Sequence, residues 1–478
     1  MSVVVPNSSG GNLAGPTVAV IGGGISGLMC ARRLSQENLR VILFESSAVL
    51  GGQIRKSNIA DHDIDMGAEA IHVSAPGVSA LISEVGLSGG LIKSNTGMSW
   101  LWTERGLQRL PEGVGPSGPR KLRPVLRSGV MSFGGLFRAG LEPLVPRRKL
   151  RGDMGVGEYI GKRFGRQVVD RFVDPVLGSL HSGDVYQLSL RAITPELATI
   201  ADRRKSIMMS RRGQNAGPPL SFATWMGGLT TLTQRMLINT GVEVKTQTAV
   251  ESVNVLPNGK YEIKSSMNGS TEVDAVVLAI PARVATEVLR PLSHVATALL
   301  EKVRYASVAT VVVAYSRTSI AGLTAFKGTG LLVPSKKGRL LKAATFVSTK
   351  WQHMDDSDVI LVRLSCGRIN ENVIDSMDDV ELVAKLHADL VEATGIKSEP
   401  VESFVQRWPN AMPQLEIGHV DLVSSIREDL AFFKGVQLAG SSYDGLGIAA
   451  CLRSGARAAE ACLKDLGIEK ATNFSSGS

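Results

Sequence analysis

Val18–Leu34 reads VAVIGGGISGLMCARRL and sets four glycines, Gly22, Gly23, Gly24 and Gly27, between an apolar β-branched run and an amphipathic segment. Glycine inside regular structure costs roughly 0.5–1 kcal/mol relative to alanine, so this cluster marks a place where something approaches the backbone closely. Gly22, Gly24 and Gly27 stand in G-x-G-x-x-G register: the first permits a tight turn, the second leaves room for a pyrophosphate, and the third lets a helix pack on the strand. The helix predicted to begin near Ile25 and Ser26 aims unpaired N–H groups and a partial positive charge at that pyrophosphate. A second run, VILFE, ends at Glu45, eighteen residues beyond Gly27, where a ribose-binding acid belongs, with Ser46 beside it. The bland alternatives are an ordinary glycine-rich turn and an exposed strand-end glutamate.

At 478 residues the chain exceeds one small core, and about 100–200 residues per domain predicts two to four units. A hydrophobic fraction of 44% with 20% charged residues is that of a soluble globular protein. Residues 1–16 lack the basic and apolar regions of a signal peptide and, with residues 466–478, read as flexible tails. The absence of an apolar run of about 18 residues predicts no transmembrane span. Cys30, Cys366, Cys451 and Cys462 are scattered without metal-ligand spacing and read as buried thiols of a reducing, cytoplasmic compartment. The seven histidines show no paired spacing, so no metal is expected.

The net charge of +9 is unevenly placed. Arg120, Lys121, Arg123, Arg127, Arg138, Arg147, Arg148, Lys149 and Arg151 form one cluster, and Arg203, Arg204, Lys205, Arg211 and Arg212 a second. With aromatic residues at 5% and no recognition motif, nucleic acid is excluded as a partner. Three readings remain: a solvated helix face, a polycarboxylate substrate, or peripheral contact with an acidic membrane, since Leu136, Phe137, Leu141 and Leu144 lie among the charges.

Further along, VEVKTQTAVESVNV (Val242–Val255) and VDAVVLAIP (Val273–Pro281) read as strands around a hairpin, with Val250 facing the nucleotide. The segment from Val436 repeats the opening logic: a strand runs through Gly440, Gly445 and Gly447 into an Ala-rich helix starting at Ile448 and Ala449, a second backbone cradle. A generic turn is the alternative.

Glu45, the Gly51-Gly52-Gln53-Ile54-Arg55 segment and Asp65-Met66-Gly67-Ala68-Glu69-Ala70 resemble the FAD-binding half of the amine-oxidase-like flavoproteins. The resemblance implies FAD as cofactor and an α/β fold: a Rossmann-like FAD domain of glutathione-reductase type, with an inserted helical domain and an α+β substrate domain. It implies that Gly52 and Arg55 lie near the FAD phosphates, that Gly67, Ala68, Glu69 and Ala70 pass beside the flavin ring, and that Trp408 belongs to the same site. The expected division is 17–99, 216–281 and 408–465 for the FAD domain, 100–215 for a mainly helical, basic insertion on the membrane or substrate side, and 282–407 for a substrate-binding sheet-and-helix domain.

Four further stretches are similar to the oxygen-dependent protoporphyrinogen and coproporphyrinogen oxidases: Arg163–Ala192, GLLVPS (Gly330–Ser335), AMPQLEIGH (Ala411–His419) and Ala439–Ala459. DMGAEA, STKW, LSCGR and SYDGLG resemble most the actinobacterial branch, which oxidises coproporphyrinogen III before iron insertion. The resemblance implies hydride loss from a porphyrinogen bridge to flavin N5, in three two-electron steps, with O₂ reoxidising the flavin to give H₂O₂. A ferrochelatase-type enzyme is the implied next partner. His181 is a candidate for relaying pyrrole protons and Glu69 for touching flavin or substrate; each also reads as a structural residue. Leu331, Leu332, Val333 and Trp102 are candidate cavity residues, with core packing as the alternative. Trp100 stands where plant and animal relatives carry a propionate-binding arginine, so the anchor for substrate carboxylates must lie elsewhere. The alternatives are protoporphyrinogen IX as substrate, an amine oxidase or carotenoid-type desaturase on the same scaffold, and a non-enzymatic FAD- or haem-carrying module.

Overall fold

A computed structural model of the chain describes residues 15–95, 98–115, 118–119, 122–147, 149–211, 221–267 and 269–469. Thr17–Ile21 is apolar on both faces, the pattern of a strand covered on both sides. It pairs in parallel with Arg40–Phe44 and Ala275–Leu278, and Glu243–Lys245 and Val436–Leu438 complete a five-stranded parallel sheet. Val18 and Val20 face helices Ile25–Leu34, Val78–Glu84 and Ile448–Leu466, while Ala19 and Ile21 face the meander Val250–Val273 and helices Ala282–Leu289, His294–Leu300 and His419–Leu430. Each fully buried aliphatic side chain contributes about 1.5–3 kcal/mol.

The second layer is a seven-stranded sheet in the order Glu402–Pro413, Tyr305–Ser316, Val359–Cys366, Ala343–Phe346, Gly330–Leu332, Ser99–Thr103, Gly106–Arg109. Two boundaries drawn from sequence therefore move. Ser99–Thr103 and Gly106–Arg109, placed near the start of the helical insertion, are strands of this sheet, because Ser99–Leu101 pairs in parallel with Gly330–Leu332. Glu402–Pro413 crosses the boundary at 407/408, because it pairs with Tyr305–Ser316 on both sides of that point, with a bulge between Trp408 and Met412.

The outer face of this sheet is covered by helix Asp379–Thr394, capped by the Asp378 side chain accepting from the Glu381 N–H at 2.8 Å. Trp102, Leu331 and Val333 belong to the core under that helix, so they do not line a cavity on the FAD side. Leu332 alternates to the other face and packs on the helical insertion. Trp100 donates its indole N–H to the Ala325 carbonyl at 2.8 Å and rests against the same outer core.

The insertion from 122 to 211 is helical around its own core. At its centre the fully buried Glu142 accepts from Arg163, from Ser206 and from the Ile207 and Met208 N–H groups. Burial opposes ionisation of Glu142, yet Ser206 and Arg163 hold it below the usual carboxylate range. Arg138 and Arg191 are likewise committed, to the Arg163 and Lys162 carbonyls and to Asp202, so part of the basic composition is structural. Arg123, Arg127, Arg147, Lys149, Arg151, Arg203, Arg204 and Lys205 are exposed; Arg120, Lys121, Arg148 and Arg212 lie outside the described residues. Of the tails, 1–14 and 470–478 also lie outside them; Leu466 and Ile468 pack on the core, which shortens the C-terminal tail drawn from 466.

Candidate active site

Strand Thr17–Ile21 delivers Gly22 at φ +103°, a conformation that disfavours a side chain, and a Cβ there would stand 2.5 Å from the Ala279 carbonyl. A Cβ at Gly27 would stand 1.9 Å from the Gly22 carbonyl, so the third glycine is what lets the helix start against the strand. Gly24 is the N-cap of Ile25–Leu34 and no side chain caps it, leaving first-turn N–H groups for an anion. Gly51 and Gly52 lie against this loop: the Gly51 N–H donates to the Gly23 carbonyl at 2.8 Å, and Gly52 passes Gly24 backbone to backbone.

Glu45 closes the cradle. One carboxylate oxygen accepts from the Gly23 N–H at 2.8 Å, and the other accepts from the Ser47 N–H at 2.8 Å and hydroxyl at 2.6 Å, with the Ser46 hydroxyl at 3.4 Å. Arg55 donates to the Leu50 and Val49 carbonyls and the Ser47 hydroxyl, which places its guanidinium beside the double glycine. Val250 begins its strand two residues after Thr248, whose N–H bonds the Glu45 carbonyl.

The late segment arrives at the same end of the sheet. Gly440 at φ +128° and Gly447 at φ +93° bracket Tyr443, and Gly447 caps helix Ile448–Leu466, again without a side-chain cap. That helix packs on Ile25–Leu34 so closely that a Cβ at Gly455 would stand 2.1 Å from the Ser26 carbonyl. Ile448 and Ala449 thus open a second uncapped N-terminus beside the first.

Gly67–Ala70 runs between the FAD-type domain and the inner face of the large sheet. A Cβ at Gly67 would stand 1.8 Å from the Gln53 carbonyl and 3.4 Å from the Trp408 ring. Glu69 is gripped by Lys350 and by Arg363, whose Nη1 donates at 3.1 Å while its Nη2 reaches the Gly67 and Met66 carbonyls. Burial alone would raise the Glu69 carboxyl, but Lys350 and Arg363 outweigh it and hold it down at about 2. Glu69 is therefore a locked anion rather than a proton donor. Asp65, two residues before Gly67, is pushed by burial up to about 7 although the Leu229 N–H donates to it at 3.1 Å.

His181 lies apart from this cluster, in a turn that follows the wide-coiled helix Val169–Gly178. Pro175 inside that helix lacks an N–H, and the coil widens around it. The His181 carbonyl accepts from Gln414 at 3.0 Å, its Nδ1 is buried with no partner, and burial pushes its pKa down to about 4. The expectation that it titrates near working pH is thus corrected: it is a neutral imidazole.

Sequence reading missed Lys350 and Arg363, although the first lies within STKW and the second immediately precedes LSCGR. The available signal was a lone arginine inside the apolar strand VILVRLSC, where a charge on an inward position needs a partner.

The cradles define a dinucleotide-binding fold, and the family to which the chain belongs makes FAD its cofactor. Residues 25–463 match the family model of flavin containing amine oxidoreductases, and the chain belongs to that family. It is 32% identical to a coproporphyrinogen III oxidase of Mycobacterium tuberculosis, over 94% of this chain and 97% of that one. It is 27% identical to a coproporphyrinogen III oxidase of Bacillus subtilis, over 92% and 96%. A crystal structure of a candidate protoporphyrinogen oxidase from Exiguobacterium sp. 255-15 superposes with a TM-score of 0.83 at 25% identity, covering 95% of this chain and 99% of that one.

Proposed function

We propose that this chain oxidises coproporphyrinogen III to coproporphyrin III in the coproporphyrin-dependent route to haem, with O₂ as terminal acceptor and H₂O₂ released. The observation that carries the reading is similarity to coproporphyrinogen III oxidases over nearly the whole of both chains. Bound FAD supplies the two-electron acceptor for hydride leaving a bridge carbon.

The cradle fits that cofactor: Gly22, Gly23, Gly24, Ile25, Ser26, Gly27, Gly52 and Arg55 would meet the pyrophosphate, Glu45, Ser46 and Val250 the adenosine side, and Gly440, Gly447, Ile448 and Ala449 the second anionic approach. Gly67, Ala68, Ala70 and Trp408 would bound the ring, with Glu69 holding Lys350 and Arg363 in place. Aromatisation makes hydride loss downhill, so positioning outweighs acid–base chemistry, in keeping with a locked Glu69 and a neutral His181.

Among the described residues no helix is long and apolar enough to cross a membrane. Phe133, Phe137 and Leu144 are nonetheless 85%, 71% and 79% exposed near Arg127, Arg147 and Lys149, which supports peripheral contact with the cytoplasmic membrane face. Leu136 and Leu141 are partly buried and contribute less. A ferrochelatase-type enzyme is the proposed recipient of product.

A second reading, protoporphyrinogen IX as substrate, is favoured by the name of the Exiguobacterium structure. Anaerobic mixing of FAD-loaded protein with each porphyrinogen, followed at the visible flavin band, separates them. Fast bleaching by coproporphyrinogen III alone is expected; bleaching by protoporphyrinogen IX alone selects the second reading, and bleaching by neither sinks both.

A further inference from the structure

Two basic side chains lie beside the His181 turn without a direct ion pair among the described residues, although Glu371 favours the charge of both from farther off. Lys342 is 5% exposed, and its ammonium donates to the Ser182 hydroxyl and to the Gly367 carbonyl at 3.1 Å. Arg368 is half-buried and donates to the Val333 carbonyl at 3.3 Å. Among the described residues neither has a carboxylate oxygen within 4.0 Å. Asp174 accepts from the Ser335 N–H at 2.7 Å and hydroxyl at 2.8 Å, and its charge, with that of Glu371, favours the charged form of Arg368 without a direct ion pair.

The turn is tied to both cations: Ser179 donates to the Lys342 carbonyl at 3.1 Å, and the Ile369 N–H donates to the Ser182 carbonyl at 2.7 Å. Within the same turn Leu180 is 62% exposed. A buried basic group that lacks a direct ion pair gains a charge-assisted bond when an anionic group arrives to meet it. An exposed aliphatic side chain next to two such charges suits a ligand that is apolar in its body and carboxylate at its rim.

We propose that Arg368 and Lys342 form the anchor for one carboxylate of the substrate. Arg368 contacts the carboxylate, and Lys342 is a positioning residue that supplies charge behind it and holds Ser182 and Gly367. The identity of that carboxylate as a porphyrinogen propionate rests on the function proposed above. The anchor also answers Trp100, which stands in place of the arginine of other relatives and is spent on the Ala325 carbonyl.

The groups facing Lys342 are Arg368 and Arg363, which disfavour its charge, and Glu371 and Cys366, which favour it. Burial first, then Arg368, bring it down to about 7. An arriving carboxylate favours the charged form, so binding at pH 8 takes up a proton and weakens as pH rises above about 7.

The test is calorimetric binding of coproporphyrin III and of its uncharged tetra-amide to the holoenzyme at pH 8, in two buffers of different ionisation heat. Wild type is expected to prefer the tetra-acid and to take up close to one proton with it. R368Q should weaken the tetra-acid by about 10- to 100-fold, the range of a lost charge-assisted bond, and leave the amide unchanged. K342M should lose the proton uptake; K342R, which keeps a charge that does not titrate, should lose the uptake but retain affinity and guard against misfolding of K342M. Equal weakening of acid and amide by R368Q, or unchanged proton uptake in K342R, would overturn the assignment. If coproporphyrinogen III bleaches the wild-type flavin while R368Q keeps full acid affinity, the anchor alone fails. If no porphyrinogen bleaches it, the functional reading fails, and the preference of wild type for acid over amide still decides whether an anion site exists.

Discussion

The nucleotide cradle and the turn at Ser179–Gly183 are built from opposite materials. The cradle is backbone: Gly22, Gly24, Gly27, Gly440 and Gly447 present N–H groups and empty space, and the Glu45 carboxylate is bonded into the Gly22–Gly24 loop. The turn is held by the side chains of distant Lys342 and Gln414 and by the Ile369 N–H beside Arg368. A backbone site tolerates almost no substitution because the clash is steric. A site of long side chains can be re-charged without moving the chain, so it is where substrate preference is adjusted.

The comparison breaks first, and by the largest effect, at Gly27. G27V forces atoms into the Gly22 carbonyl, 1.9 Å from the Cβ position, and should cut the flavin-to-protein ratio of purified protein at least about tenfold, read from the visible absorbance. Near-normal flavin content would show that the cradle is softer than its geometry.

E69Q is the next largest. It leaves Lys350 and Arg363 facing each other half-buried and should cost about 3–5 kcal/mol in urea unfolding at pH 7. The folded Glu69 carboxyl sits at about 2, below its ordinary 4.5, so its contribution is full above about 4.5 and lost as pH falls toward 2. The gap between wild type and E69Q should therefore narrow when the same unfolding is repeated at pH 3.

His181 has the same sign at higher pH. Its folded value of about 4 lies below the ordinary 6.5, so the unfolded chain takes up a proton first and stability falls between about 6.5 and 4. H181Q should flatten that slope by up to about 3 kcal/mol, at 1.36 kcal/mol per unit, while changing little at pH 8. An unchanged slope would mean that the imidazole is hydrated.

The smallest effect on the fold sharpens the contrast from outside both regions. The double variant F133S/F137S should abolish co-sedimentation with anionic vesicles yet shift stability by no more than about 0.5 kcal/mol, because both rings are exposed. A large loss of stability would show that these rings belong to an internal contact.

The short-range features were legible without coordinates. The G-x-G-x-x-G turn, Glu45 at the end of its strand, the double glycine and the second cradle at Gly440–Ala449 are each contiguous, and their meaning follows from local sterics and unpaired N–H groups. What escaped depended on pairing across long separations. Ser99–Thr103 joined the large sheet because Gly330–Leu332 offers a parallel edge 231 residues away, and Glu402–Pro413 because Tyr305–Ser316 does. Trp102, Leu331 and Val333 turned outward because helix Asp379–Thr394 covers that face.

The amino-acid sequence alone determined the nucleotide cradle, since glycines and strand ends act on their immediate neighbours, and FAD followed from its resemblance to the amine-oxidase-like flavoproteins. Only the tertiary structure decided the charges: that Glu69 is a fixed anion between Lys350 and Arg363, that His181 is neutral, and that Lys342 and Arg368, among the described residues, have no direct ion pair. The physical reason is that a protonation state is set by burial and by the charges that packing brings near, and neither is written at the position of the residue itself.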